Sequence, residues 1–349
     1  MAPSQRSAGA AIAPPPAEMA RYLVLGATSW GVTLAGLLER SGHDVVVLTR
    51  TTAEAVSLDS RRGLERLPEL RLGPRVTAAP APWSGPPLDG VVAAVPAQSL
   101  RLTLEASGLP RDVPILSAAK GIELDTALRM SEVLTGLGWP PERVAVLSGP
   151  NLAHEVARGL PAAAVAASIT PAAAELWQRA LSGAAYRVYT SDDVIGVELG
   201  GALKNVIAIA AGAAWGLGFG ANTVATIMTR GLAEMTRLGV ACGASPLTFQ
   251  GLAGVGDLAA TCFSPLSRNR RFGETIAGGA SPADARATIG EAVEGAATAE
   301  VALALAARVG VELPIAAEVA AVVRGEATIA RAMRDLLSRP LKGEAASGL

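Results

Sequence analysis

Lys204 stands in an apolar run rich in Ala and Gly, and residues 206–211 follow it without another charge. A buried ammonium is costly unless it is paired or used. Burial also lowers its pKa towards neutrality, where a lysine can exchange protons. Lys120 closes a second apolar stretch, residues 114–118. That is the end of a strand, where open α/β sheets bind ligands. Two lysines near one carbonyl would depress each other's pKa and polarise the oxygen. Asp257 follows Gly254-Val255-Gly256, placed either to aim an amine or to cap the next helix. Ser267-Arg268-Asn269 offers a phosphate donors of several geometries, although Arg268, Arg270 and Arg271 also read as a solvated face. His43, His154, Cys242 and Cys262 are the only histidines and cysteines. They make a zinc site or a disulfide framework a poor reading, and they leave Lys, Asp or Glu as the proton donor.

A second kind of chemistry is suggested near the N-terminus. Gly26-Ala27-Thr28-Ser29-Trp30-Gly31 follows an apolar run and opens a helical pattern. A dinucleotide turn reads G-x-G-x-x-G and puts a diphosphate on the helix N-terminus. Gly26 and Gly31 fit that pattern, but Thr28 replaces the middle glycine and is expected to crowd the diphosphate with its Cβ. Arg50 stands where an NAD site carries an acid, about 20 residues past the turn. It leans towards the 2′-phosphate of NADP or dual use, and reads nearly as well as a surface arginine.

These residues need a frame. Residues 22–26, 29–40 and 44–48 read as strand, helix, strand, a βαβ unit. Strand-like runs recur at 90–95, 114–118, 144–147, 161–168 and 186–190. The fold class is therefore α/β plus all-α: a Rossmann-type doubly wound parallel sheet, then an all-helical part with helices expected at 196–214, 223–238, 281–289, 296–309 and 314–324. The division is a disordered leader at 1–20, a dinucleotide-binding domain at 21–194, a helical substrate and catalytic domain at 195–338, and a flexible tail at 339–349. With 349 residues, half of them hydrophobic, the chain has material for two cores. The net charge of −1 advertises neither nucleic acid nor an anionic membrane. The apolar stretch 206–219 is shorter than the roughly 20 residues that span a bilayer, so no integral membrane segment is expected. A cytoplasmic location is the expectation.

Eight segments in order resemble the NAD(P)-dependent glycerol-3-phosphate dehydrogenases of bacterial type. They are Val95-Pro96; Ser117 to Glu123 (SAAKGIE); Ser148-Gly149-Pro150-Asn151; Gly196 to Asn205 (GVELGGALKN); Thr229 to Met235 (TRGLAEM); Gly254 to Leu258; Ser267 to Arg270; and Val293-Glu294-Gly295. The resemblance implies interconversion of dihydroxyacetone phosphate and sn-glycerol 3-phosphate with NADPH or NADH, feeding phospholipid synthesis. It implies Lys204 as general acid in reduction and base in oxidation, and Lys120 beside substrate and nicotinamide. It implies Gly149 and Asn151 in the substrate site, Asp257 orienting lysine and substrate, and Ser267, Arg268 and Asn269 on the substrate phosphate. Ser29, Trp30, Arg50, Ala153, Arg268, Ala292 and Glu294 would touch the cofactor, with Gly26, Gly31 and Lys120. A homodimer through the helical part fits the same resemblance. Two other readings stand beside it: a hydroxy-acid dehydrogenase for another small substrate, and an NAD(P)-binding homologue impaired by Thr28.

Overall fold

The computed structural model describes residues 19–338 and 340. The expected leader and tail therefore lie outside the described residues, apart from 19, 20 and 340. Eight strands form one sheet: β1 (Arg21–Leu25), β2 (Asp44–Thr49), β3 (Val76–Pro80), β4 (Gly90–Ala93), β5 (Ile115–Ser117), β6 (Val144–Ser148), β7 (Ala162–Ala167) and β8 (Tyr186–Ser191). Their order is β3-β2-β1-β4-β5-β6-β7-β8. The central strands β4, β5 and β6 are buried along their whole length because both faces are covered. Along β1, Leu23 and Leu25 join one core while Tyr22 and Val24 join the other; Val91 and Ala93 of β4 oppose Val92 and Ala94 in the same way. Helices Ser29–Arg40 and Pro171–Leu181 cover the Tyr22 face, and Leu100–Glu105 and Met130–Gly136 cover the Leu23 face.

Two features depart from the sequence reading. β7 runs antiparallel to β6, whereas every other pair is parallel. The reason is length. Helix Ala153–Ala157 is 5 residues, about 7.5 Å, and cannot carry the chain back along β6, roughly 16 Å. Helix Pro171–Leu181, 11 residues, is long enough to return the chain parallel from β7 to β8. The second departure is β3, which the reading missed. It is a half-buried edge strand ending in Pro80, so its apolar signal is weak.

Beyond β8 the described residues form helices and no strands. Helix Val194–Gly216 is their axis. It packs against Ala221–Ala241, Asp257–Phe263, Arg268–Ala277, Glu294–Val309 and Pro314–Val323. Being surrounded, it is apolar on all sides. It is long and apolar enough to cross a membrane, but it is buried within the protein. Asp193 caps it, accepting from Gly196 N at 2.9 Å, Ser245 N at 3.0 Å and Thr248 Oγ1 at 2.5 Å. The expected helices are all present, with ends shifted by at most three residues. Helices Pro246–Gln250, Arg268–Ala277 and Ile329–Leu337 were not anticipated, and the helix expected after Asp257 begins at that residue.

Candidate active site

Three elements bring the two lysines and the aspartate together. Lys120 lies three residues past β5, and Lys204 projects from the middle of the Val194–Gly216 helix. A broad turn, Leu252–Gly256, delivers Asp257 to the first position of the next helix, where the helix dipole favours a carboxylate. Asp257 is 1% exposed and accepts from both lysines: Lys204 Nζ donates to Oδ1 and Lys120 Nζ to Oδ2, each at 2.6 Å. Lys120 Nζ also donates to the Gly149 carbonyl at 2.8 Å. Lys204 Nζ also donates to Thr261 Oγ1 at 2.7 Å, and that hydroxyl donates to the Asp257 carbonyl at 2.6 Å. Gly201 lets the Lys204 helix lie close to the end of β6; a Cβ there would strike Ser148 Oγ.

Glu198 sets the second lysine's position relative to the first. Its buried carboxylate accepts from Arg129 Nη1 and Ser131 N, each at 2.7 Å, and from Ser131 Oγ at 2.6 Å. This ties the segment after Lys120 to the helix that carries Lys204. Electrostatics follow from the geometry. Burial lowers the Lys204 ammonium to about 8; Asp257 opposes that change and Lys120 adds to it. Nearby Cys262 is pushed up to about 12 by burial, which makes it an unreactive thiol at neutral pH.

The lysines open into a cleft of about 380 Å³. One side is the N-terminus of helix Arg268–Ala277. Ser267 caps it, accepting from Arg270 N at 3.2 Å. The first amides of such a helix have no partner within it and suit an anion. Arg268 is half exposed and donates to Glu291 at 3.3 Å. Asn269 is more committed than expected. Its carbonyl accepts from Gly295 N at 3.0 Å and its amide donates to Asn205 Oδ1 at 2.9 Å, so it supports the wall more than it offers free donors.

The other side is the turn after β1. Gly26 has φ +106°, which its lack of a side chain permits, and its N–H donates to Leu48 O at 3.0 Å. Thr28 does not simply obstruct this turn. Its hydroxyl accepts from Gly31 N at 2.9 Å and donates to Ala94 O at 2.7 Å, so it is the N-cap of helix Ser29–Arg40. That bond withdraws one amide from any bound diphosphate.

Ser29, Trp30, Ala153, Ala292 and Glu294 line the cleft with Lys120, Asn151, Lys204, Ser267, Arg268 and Asn269. Gly149 and Asp257 stand behind the lysines. Gly26 and Gly31 shape the turn from outside the lining, and Arg50 is a solvent-facing residue paired with Glu54. Glu294 accepts from Ala97 N at 3.0 Å, and burial pushes its carboxyl up. Sequence reasoning missed Thr261, Asn205 and Arg66. Asn205 is visible in the segment GVELGGALKN, directly after Lys204. Thr261 lies one helical turn past Asp257. Arg66 carries no sequence signal, yet it donates to Ser29 Oγ at 3.1 Å and Ala27 O at 2.6 Å. Trp215 Nε1 donates to Cys262 O at 3.3 Å, and its ring lies under the Arg270 guanidinium.

Sequence comparison matches residues 22–174 to the N-terminal part of NAD-dependent glycerol-3-phosphate dehydrogenase and residues 193–334 to its C-terminal part. The chain belongs to this glycerol-3-phosphate dehydrogenase family. Glycerol-3-phosphate dehydrogenase [NAD(P)+] of Corynebacterium diphtheriae is 46% identical over 327 residues, covering 92% of this chain and 99% of that protein. The Frankia casuarinae enzyme of the same name is also 46% identical, over 92% and 97%. The glycerol-3-phosphate dehydrogenase of Coxiella burnetii has the same fold, with TM-score 0.86 and 34% identity over 92% of this chain and 99% of that one. D-mandelate dehydrogenase, 13% identical with TM-score 0.58, shares the fold alone. The glycerol-3-phosphate dehydrogenase family uses NADH or NADPH, and the cleft suits such a group. It lies between two helix N-termini, and the buried Asn151 Nδ2, which has no partner among the described residues, is left for a ligand.

Proposed function

We propose that this protein interconverts dihydroxyacetone phosphate and sn-glycerol 3-phosphate, with Lys204 as the proton carrier. The observation that supports this most is the buried Lys204–Asp257–Lys120 arrangement opening on the cleft. NAD(P)H, when bound, supplies the hydride that adds to the ketone carbon. The oxygen then becomes an alkoxide and needs a proton and a cation. Lys204 gives that proton from Nζ in reduction and takes it back in oxidation. Its value of about 8 suits both directions near neutral pH. Lys120, held by its bond to Asp257, polarises the oxygen. Asp257 holds both amines at 2.6 Å and fixes their directions.

Arg268 and the first amides of its helix hold the substrate phosphate, with Ser267 and Asn269 shaping that end. Gly149 and Asn151 border the substrate. Ser29, Trp30, Ala153, Ala292 and Glu294 face the cofactor, with Arg50 at its outer end. The same reading assigns residues 21–194 to the dinucleotide and 195–338 to substrate and proton transfer.

The test is consumption of NADH and of NADPH on adding dihydroxyacetone phosphate, beside an unphosphorylated ketone of the same carbon skeleton. The reading requires turnover with the phosphorylated ketone at least about a hundredfold faster. Equal turnover of both ketones would refute it.

A further inference from the structure

We propose that Glu54 sets the balance between NADH and NADPH, by holding Arg50 in an internal ion pair that a 2′-phosphate has to break and a 2′-hydroxyl does not. The proposal rests on the NAD(P) reading of the cleft. It starts from the end of β2. Leu48 pairs with Leu25 of β1 and accepts from Gly26 N, so Arg50 emerges beside the phosphate turn. In doubly wound folds this place meets the adenosine ribose. An acid there takes the 2′-hydroxyl, and an arginine takes a 2′-phosphate.

Here both groups are present and bound to each other. Thr51 caps helix Thr52–Arg61, accepting from Glu54 N at 3.2 Å. In a capping box the glutamate would return to the N-H of the cap residue. Glu54 reaches one residue further and accepts from Arg50 N at 3.1 Å. It also accepts from Arg50 Nε at 3.1 Å and Nη2 at 2.5 Å. One carboxylate therefore holds Arg50 by backbone and side chain together. The bonds to Arg50 keep the Glu54 carboxyl below its usual range, and the Arg66 charge adds to that. Arg66 itself is fixed on the phosphate turn through Ser29 and Ala27.

Beside the phosphate turn, Glu54 is therefore bonded to Arg50 and also feels the charge of Arg66. A 2′-hydroxyl can donate to Glu54 with the pair intact. A 2′-phosphate must displace Glu54 from Arg50 and then remain near its negative charge. The Arg50 side chain is 84% exposed, and exposed pairs are weak. The site therefore admits NADPH at a handicap and does not exclude it. Removing the charge of Glu54 frees the Arg50 guanidinium for the phosphate.

The experiment is fluorescence titration of the whole protein with NADH and with NADPH, which reads binding without turnover. Glu54→Gln keeps the chain length and an acceptor for Arg50 N. It should tighten NADPH about tenfold relative to NADH. Arg50→Ala should weaken NADPH about tenfold more than NADH. An unchanged NADH-to-NADPH ratio in Glu54→Gln, or equal loss of both cofactors in Arg50→Ala, would overturn the proposal. Absence of binding of both cofactors to the unaltered protein would instead overturn the NAD(P) reading and this proposal with it.

Discussion

Replacing Asp257 with Asn removes the one carboxylate that both lysines share, and the size of its effect can be worked out. Breaking a buried ion pair from one side costs about 3–5 kcal/mol. Half of that, acting on Lys204 at 1.36 kcal/mol per pH unit, lowers its midpoint by about one to two pH units. Lys204 would move from about 8 to roughly 6–7. Reduction needs the ammonium form. At pH 7.5 its share would fall from roughly three quarters to about 3–25%. The falling limb of kcat/KM for reduction would therefore move to lower pH, and the rising limb for oxidation would move with it. The assay is a pair of pH profiles, one in each direction, for both proteins. Absolute rates would fall as well, because Asp257 also aims the amines. A reduction limb that stays near pH 8, or moves upward, would refute the electrostatic role.

Further outcomes follow from the same geometry. Arg268→Ala should raise KM for dihydroxyacetone phosphate at least about tenfold, consistent with loss of a charge-assisted phosphate contact; an unchanged KM would move the phosphate elsewhere. Thr28→Gly should release Gly31 N from its cap and tighten NADPH severalfold, at a stability cost of a few tenths of a kcal/mol; weaker binding would show that the cap organises the turn. Stability itself should respond to pH. Lys204 holds its proton at about 8 in the folded chain against 10.5 for a free lysine side chain. Between those values the unfolded chain binds the extra proton, so the Lys204 contribution makes stability rise with pH across that window. Below about pH 8 the charged Lys204 costs the fold on the order of 3 kcal/mol. Thermal melts from pH 7.5 to 10 should show that rise in the native chain and lack it in Lys204→Met.

The parts of the site that were legible in the sequence are those that break a local pattern. Lys204 is a charge inside an apolar helix, and Gly26 to Gly31 is a glycine turn between strand and helix. The eight ordered segments supplied the roles of Lys120, Asp257 and Arg268, which pattern alone leaves open. What was not legible depends on distance in the chain. Arg66 reaches the phosphate turn from 37 residues away. Asn269 spends its amide on Asn205, 64 residues distant, which no local reading foresees. Helix Arg268–Ala277 was hidden because its start is crowded with arginines, while only Asn269, Phe272 and Gly273 are buried. The Arg50–Glu54 pair, by contrast, is an i,i+4 contact that the spacing alone could have suggested. Thr28 was read by its bulk, and the structure gives it a cap's hydrogen bonds instead.

The central claim is that Lys204 carries the proton, and Lys204→Met tests it most directly. The substitution nearly keeps the side chain's length and removes the exchangeable proton, and Asp257 keeps its bond to Lys120, so the protein should remain folded at pH 7. Its reduction of dihydroxyacetone phosphate by NADPH should fall about 10²–10⁴-fold in kcat, with NADPH binding unchanged. A folded Lys204→Met protein whose kcat stays within about threefold of the native value would contradict the account.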